Sequence, residues 1–441
     1  MEDAYIVKGG SVLKGEVTLS GAKNVSLKMI IAALLFEQEV ILSHVPRIND
    51  VMELIELIKS LGGTAHFIEK NTLAVDGRNM NANKVDLLHS AKTRVSFMLF
   101  APLLYKHKEC FVPNPGGCRI GARPVDRVIE GMKALGVSIE YDSETGYYHA
   151  ELKDSINGEY TFVKPSHTGT ELLIMLSMIG SGMVTIHNAA LEPEVDELIT
   201  FLNESGGSIH RKGTDIIING VASLKQTKPF TIISDRNEAA TYVTTALATG
   251  GDIVIKGLPY SLFSTFIQAI TEAGALVKKI DDMTYHFSAP YGLKAVSVET
   301  EPHPGFMTDW QQCWAILMTQ AEGESIIHER IFEDRFQYVE ELKKLGAKIQ
   351  YVDVLVENPT EFYHFSFDPT HSYRHAVKIH GPQRLHNGVL TISDLRAGAT
   401  LVTAALIAKG ESVVNGASIV ERGYEDFVEK LSLLGARIRK V

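Results

Sequence analysis

The sequence predicts an α/β fold of two lobes, each made of three copies of one unit whose most apolar helix lies inside and whose strands lie outside. Three observations carry this expectation. A local grammar recurs six times: an apolar helix-period run, an acidic or Gly-marked turn, a β-branched strand, and an amphipathic helix that stops near a glycine. The stop glycines Gly62, Gly136, Gly206, Gly274, Gly346 and Gly435 are spaced by 74, 70, 68, 72 and 89 residues. The first helix of each copy is apolar nearly all round, as in Met29-Ile30-Ile31-Ala32-Ala33-Leu34-Leu35, so it offers no face to water.

In chain order, the first copy runs through Leu27–Phe36, the turn Glu37-Gln38-Glu39, the strand Val40-Ile41-Leu42 and the helix Val51–Ser60. The second has Ser96–Leu104 and Cys110-Phe111-Val112, then the glycine-rich stretch Pro115–Asp126 before its closing helix. The third has Leu172–Ile179 and the strand Met183–Ile186, the fourth Ala239–Thr249 and Asp252–Ile255. The fifth has Cys313–Gln320 and Glu324–Ile327, the sixth Ala399–Ala408 and Glu411–Val414. No Pro- or Gly-rich linker divides them, so the crossings are expected to be short, near Ser20–Lys23 and Ser234-Asp235. Residues 1–22 with 234–441 are expected to form a C-terminal lobe, and 23–233 an N-terminal lobe. The long last interval holds His364, His371, His375, His380 and His386 between Val352 and Val389. Pro369, Pro382 and the absence of a paired Cys or HExxH pattern favour an extended surface hairpin there over a metal site.

Composition narrows the function. The 441 residues carry 43 Lys and Arg against 53 Asp and Glu, a net charge of −10, so nothing draws the whole chain to nucleic acid or an anionic membrane. An anionic ligand would need a local basic pocket. Met1-Glu2-Asp3-Ala4 lacks the pattern of a signal peptide and no apolar run approaches the ~20 residues of a membrane span, so a cytoplasmic protein is expected. Cys110, Cys118 and Cys313 form no CxxC pair and cannot all be disulfide-bonded.

Cys118 stands in Pro115-Gly116-Gly117-Cys118-Arg119-Ile120-Gly121-Ala122-Arg123-Pro124-Val125-Asp126, where three glycines give freedom and two arginines favour thiolate and anions. Other charges gather at repeat junctions: Lys23, Arg94, Lys164, Asp309, Arg335, Arg396 and Arg422. A cleft lined by these arginines and lysines suits substrates bearing phosphate and carboxylate groups, which guanidinium binds bidentately. There is no Walker loop and no GxGxxG after a strand, which argues against an NTPase or a dinucleotide enzyme.

At these residues the chain resembles the enolpyruvyl transferases over essentially its full length. The resemblance is most specific in Ser20-Gly21-Ala22-Lys23-Asn24, Pro115–Asp126, Pro302-His303-Pro304 with Thr308-Asp309, Asp394-Leu395-Arg396 and Arg422-Gly423-Tyr424-Glu425. The branch acting on shikimate 3-phosphate lacks this cysteine loop and is disfavoured. The resemblance implies two inside-out α/β lobes of six βαβαββ-type repeats, three per lobe, closing over small-molecule substrates, with the N-terminal strand in the second lobe. It implies transfer of the enolpyruvyl group of phosphoenolpyruvate to the 3-hydroxyl of UDP-N-acetylglucosamine, a committed step toward peptidoglycan, without cofactor or metal. Lys23, Asn24, Arg123, Arg396, Arg422 and Arg335 would hold phosphoenolpyruvate, and Arg335 would also secure the closed form. Arg94, the stretch Arg123, Pro124, Val125, Asp126 and Arg127, the stretch Lys164, Pro165, Ser166 and His167, with Asp309 and Ile331, would form the UDP-sugar site. Asp309 would take the proton of the sugar hydroxyl and Cys118 would protonate the methylene carbon, with Lys23 and Arg396 as their catalytic partners. The epoxide fosfomycin would alkylate Cys118.

The chain departs from the family pattern at Arg127-Val128, where Leu-His is usual, at His167-Thr168, where smaller residues are usual, and at Met98 near Arg94. All touch the UDP-sugar side. A transferase using another UDP-sugar, or a catalytically silent UDP-sugar-binding regulator, are the alternatives; the sequence leaves oligomeric state open.

Overall fold

The structure is a computed structural model that describes residues 3–116 and 125–441. It is a mixed α/β fold whose described residues form six small sheets and two compact units. The described residues of one unit are 21–116 and 125–233, those of the other 3–20 and 234–441. Each has its own apolar core, the first drawn from residues between Ala22 and Ile232, the second from Tyr5 to Leu19 and Ala239 to Ala436.

Five sheets are four-stranded and share one order: a parallel pair, an antiparallel third strand, an antiparallel fourth. In the unit of residues 21–233, Phe230–Thr231 lies parallel to Val40–Ser43, which pairs antiparallel with Thr72–Asp76 and so with Thr64–Glu69. Gly158–Thr161 runs parallel to Met183–His187 in the same pattern. The sheet of Glu109–Pro113, Tyr147–Glu151 and Ser138–Asp142 has three strands, with a lone parallel bridge from Lys84 to Phe111 where the others have a fourth strand. In the other unit the N-terminal strand Ala4–Lys8 sits between Glu411–Asn415 and Arg437–Lys440, and Lys14–Thr18 lies parallel to Asp252–Lys256.

Helices fall into two kinds, for the reason their sequences suggest. Lys23–Ala33 is buried at every position but Asn24, Arg236–Ala248 at every position, and Leu395–Ile407 at all but its last. Hydroxyls in such helices can be satisfied within the helix itself. In Arg236–Ala248 the hydroxyls of Thr241, Thr244 and Thr245 donate to carbonyls four residues back at 3.1, 2.8 and 2.7 Å. The second kind, such as Asn49–Ser60, buries one stripe: Val51, Leu54, Ile55, Leu57 and Ile58. All six stop glycines have φ between 87° and 100°, the left-handed conformation that ends a helix and that a side chain would resist.

One expectation fails. Residues 352–389 do not form a surface hairpin: Ala376–Gly381 is an interior strand, paired with both Gly323–His328 and Ile349–Tyr351. The segment before it carries the short helix Pro359–Phe362 and an aromatic cluster in which Tyr363 Oη lies 3.0 Å from His328 Nε2 and 2.6 Å from His375 Nε2. The prolines that suggested a hairpin flank the strand rather than interrupt it. Among the described residues, no helix is long and apolar enough to cross a membrane.

Candidate active site

In the unit of residues 234–441, three buried helices begin at one place. Asn237, in the first turn of Arg236–Ala248, brings Nδ2 to 3.4 Å from Asp309 Oδ2, and Arg396, in the first turn of Leu395–Ile407, brings Nε to 3.6 Å from the same oxygen. Asp309 itself precedes the helix Gln311–Met318. Two of these helices are capped alike: Asp235 accepts from the amides of Asn237 and Glu238 at 2.8 and 3.1 Å, and Asp394 from those of Arg396 and Ala397 at 2.9 and 3.3 Å. Converging helix N-termini supply partial positive charge and favour anions.

Asp309 is clamped from a second side. Arg335 Nη2 donates to Asp309 Oδ1 at 2.5 Å and Nη1 to Thr308 Oγ1 at 2.8 Å. The Gln312 amide, turned so that its oxygen accepts from Arg335 Nε at 2.8 Å, donates to the carbonyls of Thr308 and Asp309. Beneath them the fully buried Glu329 accepts from Thr308 Oγ1 at 2.7 Å and from the amides of Ile331 and Phe332 at 2.8 and 3.1 Å, which fixes Ile331. Burial pushes the Glu329 carboxyl above the usual carboxylate range, although Arg335 opposes this. For Arg335 burial opposes the charge, but Asp309, Asp394 and Glu329 outweigh it and raise its pKa.

Arg396 is 5% exposed, and its guanidinium carbon lies 5.2 Å from the centre of the Tyr424 ring. Among the described residues its Nη1 has no hydrogen-bond partner. An unmatched buried guanidinium N–H is costly unless a ligand takes it. Tyr424 is fixed by a 2.7 Å bond to Thr241 Oγ1, and its neighbour Glu425 by a 2.9 Å bond from Ser20 Oγ. Arg422, half-buried, follows the helix Ala417–Val420.

The unit of residues 21–233 holds the other candidates. Lys23 is the first residue of the helix Lys23–Ala33, with Asn24 half-buried beside it. Lys23 is 8% exposed and its ammonium lies 2.6 Å from Asp50 Oδ2. Just ahead, a Cβ on Gly21 would sit 1.7 Å from the His44 carbonyl oxygen, so only glycine lets the chain enter this helix here. Arg94 begins the 3-10 helix Arg94–Leu99, and burial lowers its pKa. The same closeness recurs at Gly116, whose Cβ would lie 1.9 Å from the Ala91 carbonyl. The chain entering the cysteine stretch thus runs against the backbone that leads to Arg94.

Beyond that stretch, Val125 is buried, and Asp126 and Arg127, exposed and half-buried, open the helix Asp126–Ala134. Lys164, Pro165, Ser166 and His167 are all half-buried, and Ser166 Oγ caps the helix His167–Ser177 by accepting from Gly169 N at 3.2 Å. Burial, and then the charge of Arg127, lower the Lys164 pKa. Two like charges held near each other in this way favour an anion between them. His167 Nε2 lies 3.2 Å from Glu171 Oε1, and Glu171 Oε2 lies 3.1 Å from Lys28 Nζ.

Cys118, Arg123 and Pro124 lie outside the described residues. The other two cysteines are buried thiols. Burial raises the pKa of Cys110 far above that of an ordinary thiol and that of Cys313 to about 12. The described residues that could together hold a metal ion are Glu109, His149 and Glu151, where His149 Nε2 is already 2.8 Å from Glu109 Oε1; the histidines of 352–389 are not among them.

Sequence reasoning missed Asp50, Asn237, Glu329, Glu171 and Lys28. For Asn237 a signal existed: Asp235-Arg236-Asn237 stands where Asp394-Leu395-Arg396 stands in the sixth copy, and the two aspartates cap their helices identically. For Asp50 and Glu329 there was none, because each is joined to its partner only by tertiary packing.

A family model described as EPSP synthase (3-phosphoshikimate 1-carboxyvinyltransferase) matches residues 7–431. A UDP-N-acetylglucosamine 1-carboxyvinyltransferase of Coxiella burnetii is 37% identical over 446 residues, covering 100% of this chain and 96% of its own. One from Thermodesulfovibrio yellowstonii is 36% identical over 440 residues and 100% of both chains. Among solved structures, the enolpyruvyl transferase NikO from Streptomyces tendae superposes with a TM-score of 0.86 at 21% identity, covering 100% of this chain and 99% of its own. EPSP synthase from Acinetobacter baumannii does so with a TM-score of 0.72 at 17% identity, covering all of both chains. The chain belongs to the EPSP synthase family of enolpyruvyl transferases.

Proposed function

We propose that the protein transfers the enolpyruvyl group of phosphoenolpyruvate to the 3-hydroxyl of UDP-N-acetylglucosamine, releasing phosphate, in the cytoplasmic synthesis of peptidoglycan precursors. The observation that carries this reading is Asp309, set where three buried helices begin and clamped by Arg335 and Arg396, in a chain that aligns end to end with relatives of that name.

In this reading the sheets are six βαβαββ repeats in two inside-out lobes, 1–22 with 234–441 and 23–233. The anionic groups of phosphoenolpyruvate lie against Lys23, Asn24, Arg123, Arg396 and Arg422. The UDP-sugar lies along Arg94, Arg123–Arg127, Lys164–His167 and Ile331. Its 3-hydroxyl adds to C2 of phosphoenolpyruvate and passes its proton to Asp309, while Cys118 gives a proton to C3. Both additions complete a tetrahedral ketal whose phosphate the arginines hold. Loss of a proton from C3 and departure of the phosphate with its bonding pair leave the enolpyruvyl ether. Substrate anions that engage Arg396 loosen its hold on Asp309, so the clamp gives way as the substrates bind. Phosphate release and mass-spectrometric detection of the enolpyruvyl sugar test the proposal; folded protein yielding neither overturns it.

The departures at Arg127, Val128, His167 and Thr168 favour one second reading, the same reaction on a different UDP-sugar. A panel of UDP-sugars ranked by kcat/KM separates the two.

A further inference from the structure

The unit of residues 21–233 holds a charge chain behind His167 whose other members, Glu171 and Lys28, have no part in the reaction as written. Glu171, in the first turns of the helix His167–Ser177, is fully buried. It is met from its own helix by His167 at 3.2 Å and from the helix Lys23–Ala33 by Lys28 at 3.1 Å. A carboxylate without water is tolerable only if cations match it, and here two compete for it. With His167 protonated the trio carries one net positive charge; with His167 neutral it carries none. The ring is not sealed in, since a quarter of the His167 side chain, 25%, remains exposed.

We propose that His167, held as an imidazolium by Glu171, is a specificity-determining cation for the diphosphate of the nucleotide sugar, and that Lys28 keeps Glu171 ionised so that it can do so. This rests on the reading above that Lys164–His167 lines the UDP-sugar site. Burial works against the charge of His167, yet the field of Glu171 outweighs it and raises the imidazole pKa above its ordinary value. The other groups that face the ring are Lys28, which opposes protonation, and Glu192 at the start of the helix Pro193–Glu204, which supports it. His167 and Glu171 thus place at this position a charge that switches off as pH rises. The diphosphate itself does not titrate near neutrality, so the switch belongs to the protein.

The test uses the full-length enzyme and reads KM for UDP-N-acetylglucosamine and for phosphoenolpyruvate separately between pH 6 and pH 9. In the unaltered protein KM for the nucleotide sugar rises about tenfold across this range, the order expected for losing one charge-assisted contact at a partly exposed site. In Glu171→Gln that rise moves to lower pH, and the His167 proton resonance titrates at correspondingly lower pH by NMR. His167→Gln abolishes the pH dependence of this KM, and the profile for phosphoenolpyruvate is the same in all three proteins. A nucleotide-sugar KM that rises at the same pH in Glu171→Gln, with folding intact by circular dichroism, overturns the inference while leaving the activity standing. If the unaltered enzyme neither turns over nor binds UDP-N-acetylglucosamine, the site reading has failed and the inference falls with it.

Discussion

Replacing Arg335 by Met removes the guanidinium and keeps most of its volume, which makes it the sharpest probe of the Asp309 clamp. Arg335 is 4% exposed and makes three charged contacts: 2.5 Å to Asp309, 2.8 Å to Thr308 and 2.8 Å to Gln312. Each such bond to a charged group contributes roughly 1.5–3 kcal/mol net, and the three share one guanidinium, so they do not simply add. What remains after truncation is the half-buried Asp309 carboxylate, still 3.6 Å from Arg396 Nε but without its Arg335 partner, which costs about 1–3 kcal/mol. Against a typical domain stability of about 5–15 kcal/mol the variant still folds, with a clearly lower melting temperature.

The deficit also depends on pH. The Glu329 carboxyl stands above its unfolded value, so it costs stability as pH rises through the unfolded value, up to the folded one. Arg335 opposes that elevation, and removing it widens the window upward. The deficit of Arg335→Met is therefore larger at pH 8 than at pH 5. Thermal melts at both pH values and kcat/KM by phosphate release give the readouts. We expect kcat/KM to fall by about 10²–10³, and Arg335→Lys, which keeps the charge but not the planar fork, to recover part of the stability and little of the rate. Melting temperatures and kcat/KM for Arg335→Met equal to those of the unaltered protein at pH 8 would refute the clamp.

Three further outcomes follow from the geometry. Fosfomycin or iodoacetamide at neutral pH should modify one thiol, Cys118, since Cys110 and Cys313 are buried with raised pKa values; Cys118→Ser should abolish the adduct by intact-mass analysis, and a label at Cys313 would count against the assignment. Gly21→Ala drives a methyl to 1.7 Å from the His44 carbonyl oxygen, so it should lower the melting temperature and displace Lys23, with kcat/KM down at least about tenfold. Lys23→Met should raise KM for phosphoenolpyruvate and lower kcat, whereas Asp50→Asn, which frees the ammonium from its 2.6 Å pair, should alter KM far more than kcat; equal effects of the two would argue that Lys23 is only structural.

Much of the fold was legible because its signals are local. The six stop glycines all have a left-handed φ, and buried helices such as Lys23–Ala33 show the apolar run that burial on all sides favours. The misread segment failed for the converse reason. Ala376–Gly381 is an interior strand because Gly323–His328 and Ile349–Tyr351 stand on either side of it; the alternation Val377-Lys378-Ile379-His380 carries a β signal but cannot say which strands pair with it.

The candidate site divides along the same line. Lys23, Arg94, Asp309, Arg335 and Arg396 stand out in the sequence because they fall at the recurring junctions of its pattern. Their partners do not. Asp50 and Lys28 lie within helices and Glu329 just beyond a strand, and from sequence each looks like an ordinary surface charge. Yet they decide what the named residues can do: Glu329 sets Thr308 and Ile331, Asp50 holds Lys23, and Lys28 faces His167 across Glu171. A junction motif therefore reports the class of chemistry a fold of this kind can host. The charges packed behind it set the field those residues work in, as Lys28 and Glu171 do for His167.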